Sequence, residues 1–361
     1  MENSNSKYLF YYLLYFLIYL VGCQKDDILS PANNNYTRDF NSVWTTFDRN
    51  YPLFDYKGIS WDNSYEQYKN KFNNISIDER NSLLANMLGI FKDPHINITT
   101  TSGNIILTYV PSNFTINYNT NYLNKFVNSF VWHKENDTWG WGNINSIGYL
   151  RITSFSSTDL DTVAFGDVID SLITTTGLIL DIRQEPGGNL LVINNIWNRF
   201  ASETRVVGYQ LYRSGINHNT YAGEIPLISR PQGAFQYLKE VVILIGQQCA
   251  SAGEIFAKTM SLNNNVILIG DTTLGAVEAP SDYMLSDGAK YSVPIVAYLD
   301  LNHKPLEWNG VSPNIYYDPL IVRNNSERDI LIEKAFDIIN STKSNIKNSR
   351  SMFANKMRRY Y

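Results

Sequence analysis

A serine between a predicted strand and a predicted helix is the residue best placed to act as a nucleophile. Val241–Ile245 is an uninterrupted aliphatic run, which predicts a buried strand. Residues 254–260 then have the apolar pattern and acidic first turn of a helix. Ser251 lies in the turn between them beside small residues, so a substrate carbonyl could approach and helix N–H groups could stabilise an oxyanion. The alternative is an ordinary N-cap serine, which the local pattern by itself favours.

A glycine turn is the second candidate part of such a site. Residues 177–183 predict another buried strand, and residues 190–200 predict the helix that follows the turn. Gly187 and Gly188 lie in that turn, where a bare backbone N–H could point at an oxyanion. The alternative is that these glycines only supply a positive φ angle. A phosphate-binding loop is not expected, because neither of the glycine patterns typical of nucleotide-binding loops occurs.

A serine nucleophile needs a base within hydrogen-bond reach, and histidine is the usual base near neutral pH. Among four histidines, His95 is the best placed, since it follows a predicted helix end in Asp93-Pro94-His95. By itself, a single loop histidine is more often a surface or capping residue. The remaining three lie among polar residues or in a turn and are expected to be solvated: His133, His218 and His303. No cysteine or histidine pattern typical of zinc ligation occurs, so we expect no metal and no cofactor.

The elements around these two turns alternate as in an α/β domain. Further strands are predicted over 147–152 and 266–270, and a helix over 158–174. This alternation is typical of a mainly parallel sheet, in which sites form at the carboxyl ends of the strands. With 361 residues, 44% of them hydrophobic, the chain can bury a sizeable core, and its net charge of -4 gives no reason to expect nucleic acid as a partner.

Three amphipathic patterns before residue 95 predict a small helical subdomain. The first has Phe40, Val43 and Phe47 on one face and ends before Pro52, and the third is predicted to be capped by Asp78. Residues 105–142 alternate apolar and polar side chains and predict a few antiparallel strands. This segment is short for an added peptide-binding module, so no PDZ domain is expected.

The N-terminus has the pattern of a secretory signal. A fourteen-residue apolar run, residues 8–21, is too short to span a bilayer and suits the hydrophobic region of a signal peptide. It ends in Leu20-Val21-Gly22-Cys23, which resembles the lipobox of bacterial lipoproteins. That resemblance implies cleavage before Cys23, lipidation of its thiol and membrane anchoring of an otherwise soluble protein. The residues after Cys23 resemble a signal for export to the surface of the outer membrane, so we expect an outer-membrane lipoprotein, surface-exposed or facing the periplasm. An uncleaved anchor helix is the alternative.

Three stretches taken together resemble one family, the carboxyl-terminal-processing or tail-specific serine proteases. They are residues 178–188, which end in Pro-Gly-Gly, residues 249–254, which contain Ser251, and residues 270–275. The resemblance covers most of residues 38–320 and implies a crotonase-like fold of β-β-α units. One branch of the family uses a lysine base in a Gly-Lys-Gly motif, but this chain has Ala276 at that place. Alanine cannot take a proton, so a Ser-Lys dyad is not expected.

The chain is more similar to the branch of the tricorn protease core and the interphotoreceptor retinoid-binding protein. The resemblance implies a catalytic triad of Ser251, His95 and Glu307, the last lying just before a Gly-Val-x-Pro segment. It implies an oxyanion hole formed by Gly188, Gly187 and the N–H of Ala252. Members of this branch often carry a hydroxyl residue before the histidine, where this chain has Pro94. Whether Glu307 or Asp93 orients His95 therefore stays open, with Asp93 the weaker candidate because it is a loop neighbour.

These observations predict a membrane-anchored serine peptidase that acts on peptide or protein substrates through an acyl-enzyme on Ser251. The alternative is a non-catalytic binding protein of the same fold that holds an apolar ligand or a peptide, because fold does not establish function. The oligomeric state is not predicted. The expected segments are a signal peptide (1–22), a tether (23–36), a helical subdomain ending in the histidine motif (37–95), a short β segment (96–142), an α/β core (143–320), and a C-terminal helix with a tail (321–361).

Overall fold

A computed structural model describes residues 35–111, 115–118, 128–132, 138–324 and 328–341. The predicted signal peptide, Cys23 and nearly all of the tether lie outside the described residues, as does the tail after residue 341. Within the described ranges, no helix is long and apolar enough to cross a membrane.

The chain divides into two compact units, each built from segments that are far apart in sequence. The first contains the described residues of Met1–Tyr109, Leu211–Ile225 and Pro280–Ile295; the second contains those of Val110–Gln210, Pro226–Ala279 and Val296–Tyr361. Two segments of the sequence-predicted core, 143–320, thus belong to the first unit. The reason is strand pairing, which the order of the sequence does not reveal.

The helices in chain order are α1 Thr37–Asn50, α2 Phe54–Lys57, α3 Trp61–Tyr68, α4 Ile77–Leu88, α5 Thr162–Ser171, α6 Leu190–Trp197, α7 Ala252–Met260, α8 Pro319–Asn324 and α9 330–341. The first four confirm the predicted helical subdomain. Their capping differs from the prediction, because Ser76, not Asp78, caps α4. The Ser76 hydroxyl accepts from Glu79 N, and the Glu79 carboxylate accepts from Ser76 N.

An aromatic cluster in the first unit anchors the segment that leads to the predicted base. Phe91 contacts the rings of Phe47, Tyr51 and Trp61 at centroid distances of 4.9, 4.5 and 5.1 Å. All four side chains are essentially fully buried, so the loop carrying His95 starts from a rigid core. His218, expected to be solvated, is instead largely buried. Its ring stacks on Phe54 at 4.0 Å, and its Nε2 lies 2.6 Å from an Asp48 oxygen.

The strands in chain order are β1 Asn97–Thr99, β2 Ile105–Leu107, β3 Asn128–Trp132, β4 Trp139–Ile144, β5 Ile147–Ile152, β6 Leu178–Asp181, β7 Arg205–Arg213, β8 Tyr221–Ser229, β9 Val241–Ile245, β10 Val266–Gly270, β11 Ala279–Met284, β12 Lys290–Leu299 and β13 Ile315–Tyr316. One sheet has the order β2-β1-β12-β7-β8, with β11 also paired to β12. In the first unit, β1 pairs antiparallel with β12, and Ile98 lies opposite Tyr291.

The second sheet has the order β13-β10-β9-β6-β5-β4-β3 and belongs to the second unit. Strands β5, β6, β9, β10 and β13 pair in parallel, whereas β3 and β4 are antiparallel. Every residue of β5, β6 and β9 is buried, as expected for central strands covered on both faces. The mixed α/β fold predicted from the sequence is therefore confirmed.

The register of β6 and β9 brings the two predicted turns to one edge of this sheet. Leu178 pairs with Val241 and Asp181 with Leu244, so the two strands end at the same level. The glycine turn follows β6, and the turn with Ser251 follows β9. Because the carboxyl ends of neighbouring parallel strands lie side by side, the tertiary structure joins two stretches that are about sixty residues apart in sequence.

A buried ionic network supports the start of the glycine turn. Arg183 Nη2 lies 2.7 Å from Asp181 Oδ2 and 2.8 Å from Asp329 Oδ2. The Tyr149 hydroxyl donates to Asp181, and Arg183 Nη1 donates to the Asn117 carbonyl. Burial by itself would raise the pKa of Asp181, but Arg183 outweighs burial and holds that pKa at about 2. The ion pairs of Arg183 therefore hold the backbone in place just before the glycine turn.

Candidate active site

Ser251 is partly buried and has a strained backbone at the sharp turn between β9 and α7. Its φ and ψ angles are 52° and -119°, a region that non-glycine residues rarely adopt. Such strain costs about 1–3 kcal/mol and persists only where the surrounding structure enforces it. A serine on a strained strand-to-helix turn is also the arrangement that presents the nucleophile in α/β-hydrolases. The geometry thus favours a chemical role for this residue.

Ser251 is also the N-cap residue of α7. Glu254 Oε2 accepts from Ser251 N at 3.2 Å. The same N–H donates to the Ala276 carbonyl at 2.7 Å. The backbone N–H of Ser251 is therefore held by two acceptors. An ordinary N-cap serine has an extended backbone, so the strained φ and ψ angles of Ser251 are what helix capping does not explain.

The glycine turn packs directly against Ser251. A Cβ added at Gly187 would lie 2.8 Å from Ser251 Cβ and 3.3 Å from its Oγ, so only glycine fits there. Gly187 N donates to Glu185 Oε1 at 2.9 Å. The Gly187 N–H is thus already hydrogen-bonded to Glu185, which corrects the expectation that it donates to an oxyanion. Gly187 serves instead by letting the turn approach the serine closely.

Gly188 and Ala252 are the two other residues whose N–H groups were predicted to serve as oxyanion donors. Phe155 N donates to the Gly187 carbonyl, and Asn189 N donates to the Phe155 carbonyl. Because peptide groups alternate in direction along an extended chain, the Gly188 N–H faces the opposite edge from Phe155. Ala252 is the first residue of α7, where a helix has no acceptor of its own for the N–H. Neither amide has a hydrogen-bond partner among the described residues.

Glu254 is a buried carboxyl that ties the serine turn to the loop at residues 273–277, and sequence reasoning missed this role. It accepts from Thr273 Oγ1 at 2.5 Å, Gly275 N at 2.7 Å and Ala276 N at 2.9 Å, in addition to Ser251 N. Burial raises its pKa to about 7, although these donors favour the charged form. A serine followed three residues later by glutamate was the available signal.

Glu307 is buried in the second unit and bonded to the same loop. Its Oε2 accepts from Val277 N at 2.8 Å, and only 2% of the residue is exposed. The neighbouring Trp308 N donates to the Gly275 carbonyl at 2.8 Å. An acidic residue in a loop is usually exposed to solvent, and Glu307 differs because it is buried.

His95 lies in the first unit, between α4 and β1, and its ring is oriented by Asp93. Asp93 Oδ1 lies 2.9 Å from His95 Nδ1 and also accepts from His95 N at 2.8 Å. A carboxylate only accepts, so Nδ1 carries the hydrogen and Nε2 of the neutral ring is the basic atom. Asp93, expected to be the weaker candidate, is therefore the residue that orients the ring within this unit. Ser292 Oγ fixes the backbone by donating to the His95 carbonyl at 2.7 Å.

Cys249 is a buried small residue and not a second nucleophile. Burial raises the pKa of its thiol well above the usual value, and the nearby Glu185 and Glu254 raise it further. Because the thiolate is the reactive form of cysteine, this environment suppresses its reactivity.

Two family models match the chain. Residues 146–317 match peptidase family S41, and residues 32–89 match the tricorn protease C1 domain. The first match contains Ser251, the glycine turn and Glu307. The second covers α1 to α4 of the helical subdomain and ends just before the loop with His95.

Individual relatives agree with these matches. The carboxyl-terminal-processing protease of Synechocystis sp. is 29% identical over 197 residues, which is 54% of this chain and 44% of that protein. The carboxy-terminal processing protease CtpA of Bacillus subtilis is 29% identical over 175 residues, which is 47% of this chain and 35% of that protein. The matched region therefore spans less than half the length of these relatives.

Solved structures show the same fold. A proposed peptidase from Parabacteroides merdae is 25% identical, with a TM-score of 0.72, and the match covers 85% of this chain and 97% of that chain. The tricorn protease, at 15% identity and a TM-score of 0.54, shows a likeness of fold alone, over 90% of this chain and 38% of that chain. Together with the family models, these similarities show that residues 146–317 form a peptidase family S41 domain and that the chain resembles the serine-type carboxyl-terminal-processing proteases.

Proposed function

We propose that this protein hydrolyses peptide bonds of peptide or protein substrates through an acyl-enzyme on Ser251. The observation that carries this proposal is the strained backbone of Ser251 at the turn between β9 and α7. Two further features support it, namely the glycine turn packed against the serine and the N–H groups of Gly188 and Ala252. A preorganised pair of donors of this kind stabilises the oxyanion of acyl transfer.

In this proposal His95 takes the proton of Ser251 and later gives it to the leaving amine. Its Nδ1 is held by Asp93, which leaves Nε2 as the atom for proton transfer. Glu307 is proposed as the third member of the triad. Its negative charge would stabilise the imidazolium form of His95. Support for this role comes from its burial and from its anchoring to Val277, on the loop that also accepts the Ser251 N–H.

The test is covalent labelling of the wild-type protein with a fluorophosphonate, followed by peptide mapping of the adduct. We expect one adduct, on Ser251, formed by the folded protein and not by the heat-denatured protein, because activation requires the assembled site. Hydrolysis of a peptide library should be blocked in proportion to labelling. Adduct formation elsewhere, or a folded protein that binds peptides but neither labels nor cleaves them, would refute the peptidase proposal and favour the binding protein.

We also propose that the protein is anchored to the bacterial outer membrane by lipid on Cys23. Support comes from the lipobox-like residues 20–23, which lie outside the described part of the chain. A single acyl chain gives only reversible membrane binding, so stable anchoring requires the multiple chains of a bacterial lipoprotein. Cys23→Ser should move the protein from the membrane fraction to the soluble fraction while peptide hydrolysis per molecule is retained. A variant that stays in the membrane fraction would exclude this anchor, and proteolysis of intact cells separates surface from periplasmic exposure.

A further inference from the structure

Glu185 is a fully buried carboxyl that joins the glycine turn to the serine turn. Its Oε1 accepts from Gly187 N at 2.9 Å and from Phe155 N at 3.0 Å. Its backbone carbonyl accepts from Ala250 N at 3.0 Å, one residue before the serine. The two halves of the proposed oxyanion hole are therefore connected through a single residue.

The second carboxyl oxygen of Glu185 faces α7. A Cβ added at Gly253 would lie 2.2 Å from Glu185 Oε2 and 2.9 Å from Cys249 Sγ, so the absence of a side chain at Gly253 makes room for this oxygen. Oε2 is buried and has no hydrogen-bond donor among the described residues. Either protonation state leaves Oε2 unpaired among the described residues, but an unpaired buried charge costs more than an unpaired neutral hydroxyl.

We propose that Glu185 is a positioning residue that works as the neutral acid, holding Gly187 and Phe155 so that the Gly188 N–H is aimed at the oxyanion, and that loss of its proton switches the site off. This inference rests on the peptidase proposal for Ser251. Glu185 does not touch the substrate in this scheme, because its effect passes through the glycine turn.

The surroundings decide which of two buried carboxyls holds a proton. Glu254 has four hydrogen-bond donors, whereas Glu185 has two, so Glu254 is the group whose charged form is better stabilised. Burial raises the pKa of Glu185 well above its usual value, and the charge of Glu254 raises it further. Glu254, whose pKa is about 7, therefore ionises first as pH rises. The titratable groups that face Glu185 are Glu254 and the Cys249 thiol, and neither is a cation.

Ionisation of Glu185 would oppose catalysis for an electrostatic reason. A negative charge bonded to the Gly187 N–H lies next to the amide that must stabilise a developing oxyanion, and like charges repel strongly in a buried site. Because the oxyanion forms only after binding, we expect kcat to fall at alkaline pH with little change in KM. A residue that only supports the fold would not produce this selective loss.

The test is the pH dependence of kcat in Glu185→Gln, which keeps an oxygen for both N–H donors and cannot ionise. We expect wild type to lose about tenfold or more of kcat in the alkaline range, and the variant to match wild type at acidic pH and lose this alkaline decline. Glu240→Gln is the matched control, since Glu240 also has a raised pKa from burial but precedes β9, at the end opposite Ser251. Its profile should equal that of wild type.

Two outcomes would overturn the inference: an alkaline decline that persists in Glu185→Gln, or a folded variant that is inactive at every pH. A wild type that neither labels nor cleaves would instead overturn the peptidase proposal itself, so the two failures are distinguishable. If Glu185→Gln does not fold, carboxyl-¹³C NMR of wild type labelled at glutamate decides the matter. At a pH at which Glu254 has lost its proton, one glutamate carboxyl must still give the signal of the protonated form. Ionisation of every glutamate at that pH would refute the proposal.

Discussion

Replacing Ser251 by alanine is expected to lower kcat by a factor of about 10⁴ to 10⁶ while the protein stays folded. The substitution removes the only atom that can form the acyl-enzyme, and the residual rate comes from the oxyanion donors and substrate binding alone. The fold should survive because the backbone N–H of residue 251 keeps both of its acceptors in the variant. Steady-state hydrolysis of a fluorogenic peptide, with thermal unfolding measured in parallel, checks both expectations.

Ser261→Ala is the matched control for this experiment. Ser261 follows α7 at its far end, and its hydroxyl donates to the Lys258 carbonyl at 2.7 Å. Loss of that bond should cost about 1 kcal/mol of stability and leave kcat unchanged. A Ser251→Ala protein that still labels with the fluorophosphonate or retains more than about a tenth of wild-type kcat would exclude Ser251 as the nucleophile.

Replacing Gly188 by alanine is expected to reduce kcat by about 10² to 10³ and to destabilise the protein as well. The φ angle of Gly188 is 153°, and a Cβ there would lie 2.2 Å from the Phe155 carbonyl carbon and 2.6 Å from Ser156 N. Both neighbours are backbone atoms, so the turn must move away from the segment at Phe155 and Ser156 that holds it. An oxyanion donor displaced by about 1 Å loses most of its effect on the transition state.

The measurements for Gly188→Ala are kcat, KM and the free energy of unfolding. Gly103→Ala is the control, because Gly103 also has a positive φ, 85°, but a Cβ there would meet nothing within 4 Å. The control should lose about 1 kcal/mol or slightly more from backbone strain and keep full activity. Equal kcat in wild type and a folded Gly188→Ala protein would show that this amide does not serve the transition state.

The local order of strand, turn and helix around Ser251 was predictable from sequence, because apolar periodicity is a local property of the chain. The aliphatic runs Leu178–Asp181 and Val241–Ile245 are indeed buried strands, and the helical subdomain lies where three amphipathic patterns predicted it. The nucleophile and both turns were identified as candidates in the same way. Only the resemblance to a family added Glu307 to that set.

The chemistry of the buried carboxyls depends on contacts that no local pattern contains. Glu254 and Glu185 are ordinary acidic residues in the sequence, yet burial raises the pKa of both. Likewise, the N–H of Gly187 was a candidate oxyanion donor until its bond to Glu185 showed that it is already committed. Burial and hydrogen-bond partners are properties of the folded chain, and they decide which amide is available and which acid holds its proton.

The sequence by itself determined the elements on either side of the glycine turn and of Ser251, and which residue types could act as nucleophile, base and acid. The tertiary structure decided their arrangement. It placed the ends of β6 and β9 side by side, forced Ser251 to a φ of 52°, and oriented His95 through Asp93. The physical reason is that strand register, backbone strain and burial arise from residues distant in sequence, whereas periodicity and turn chemistry arise from neighbours.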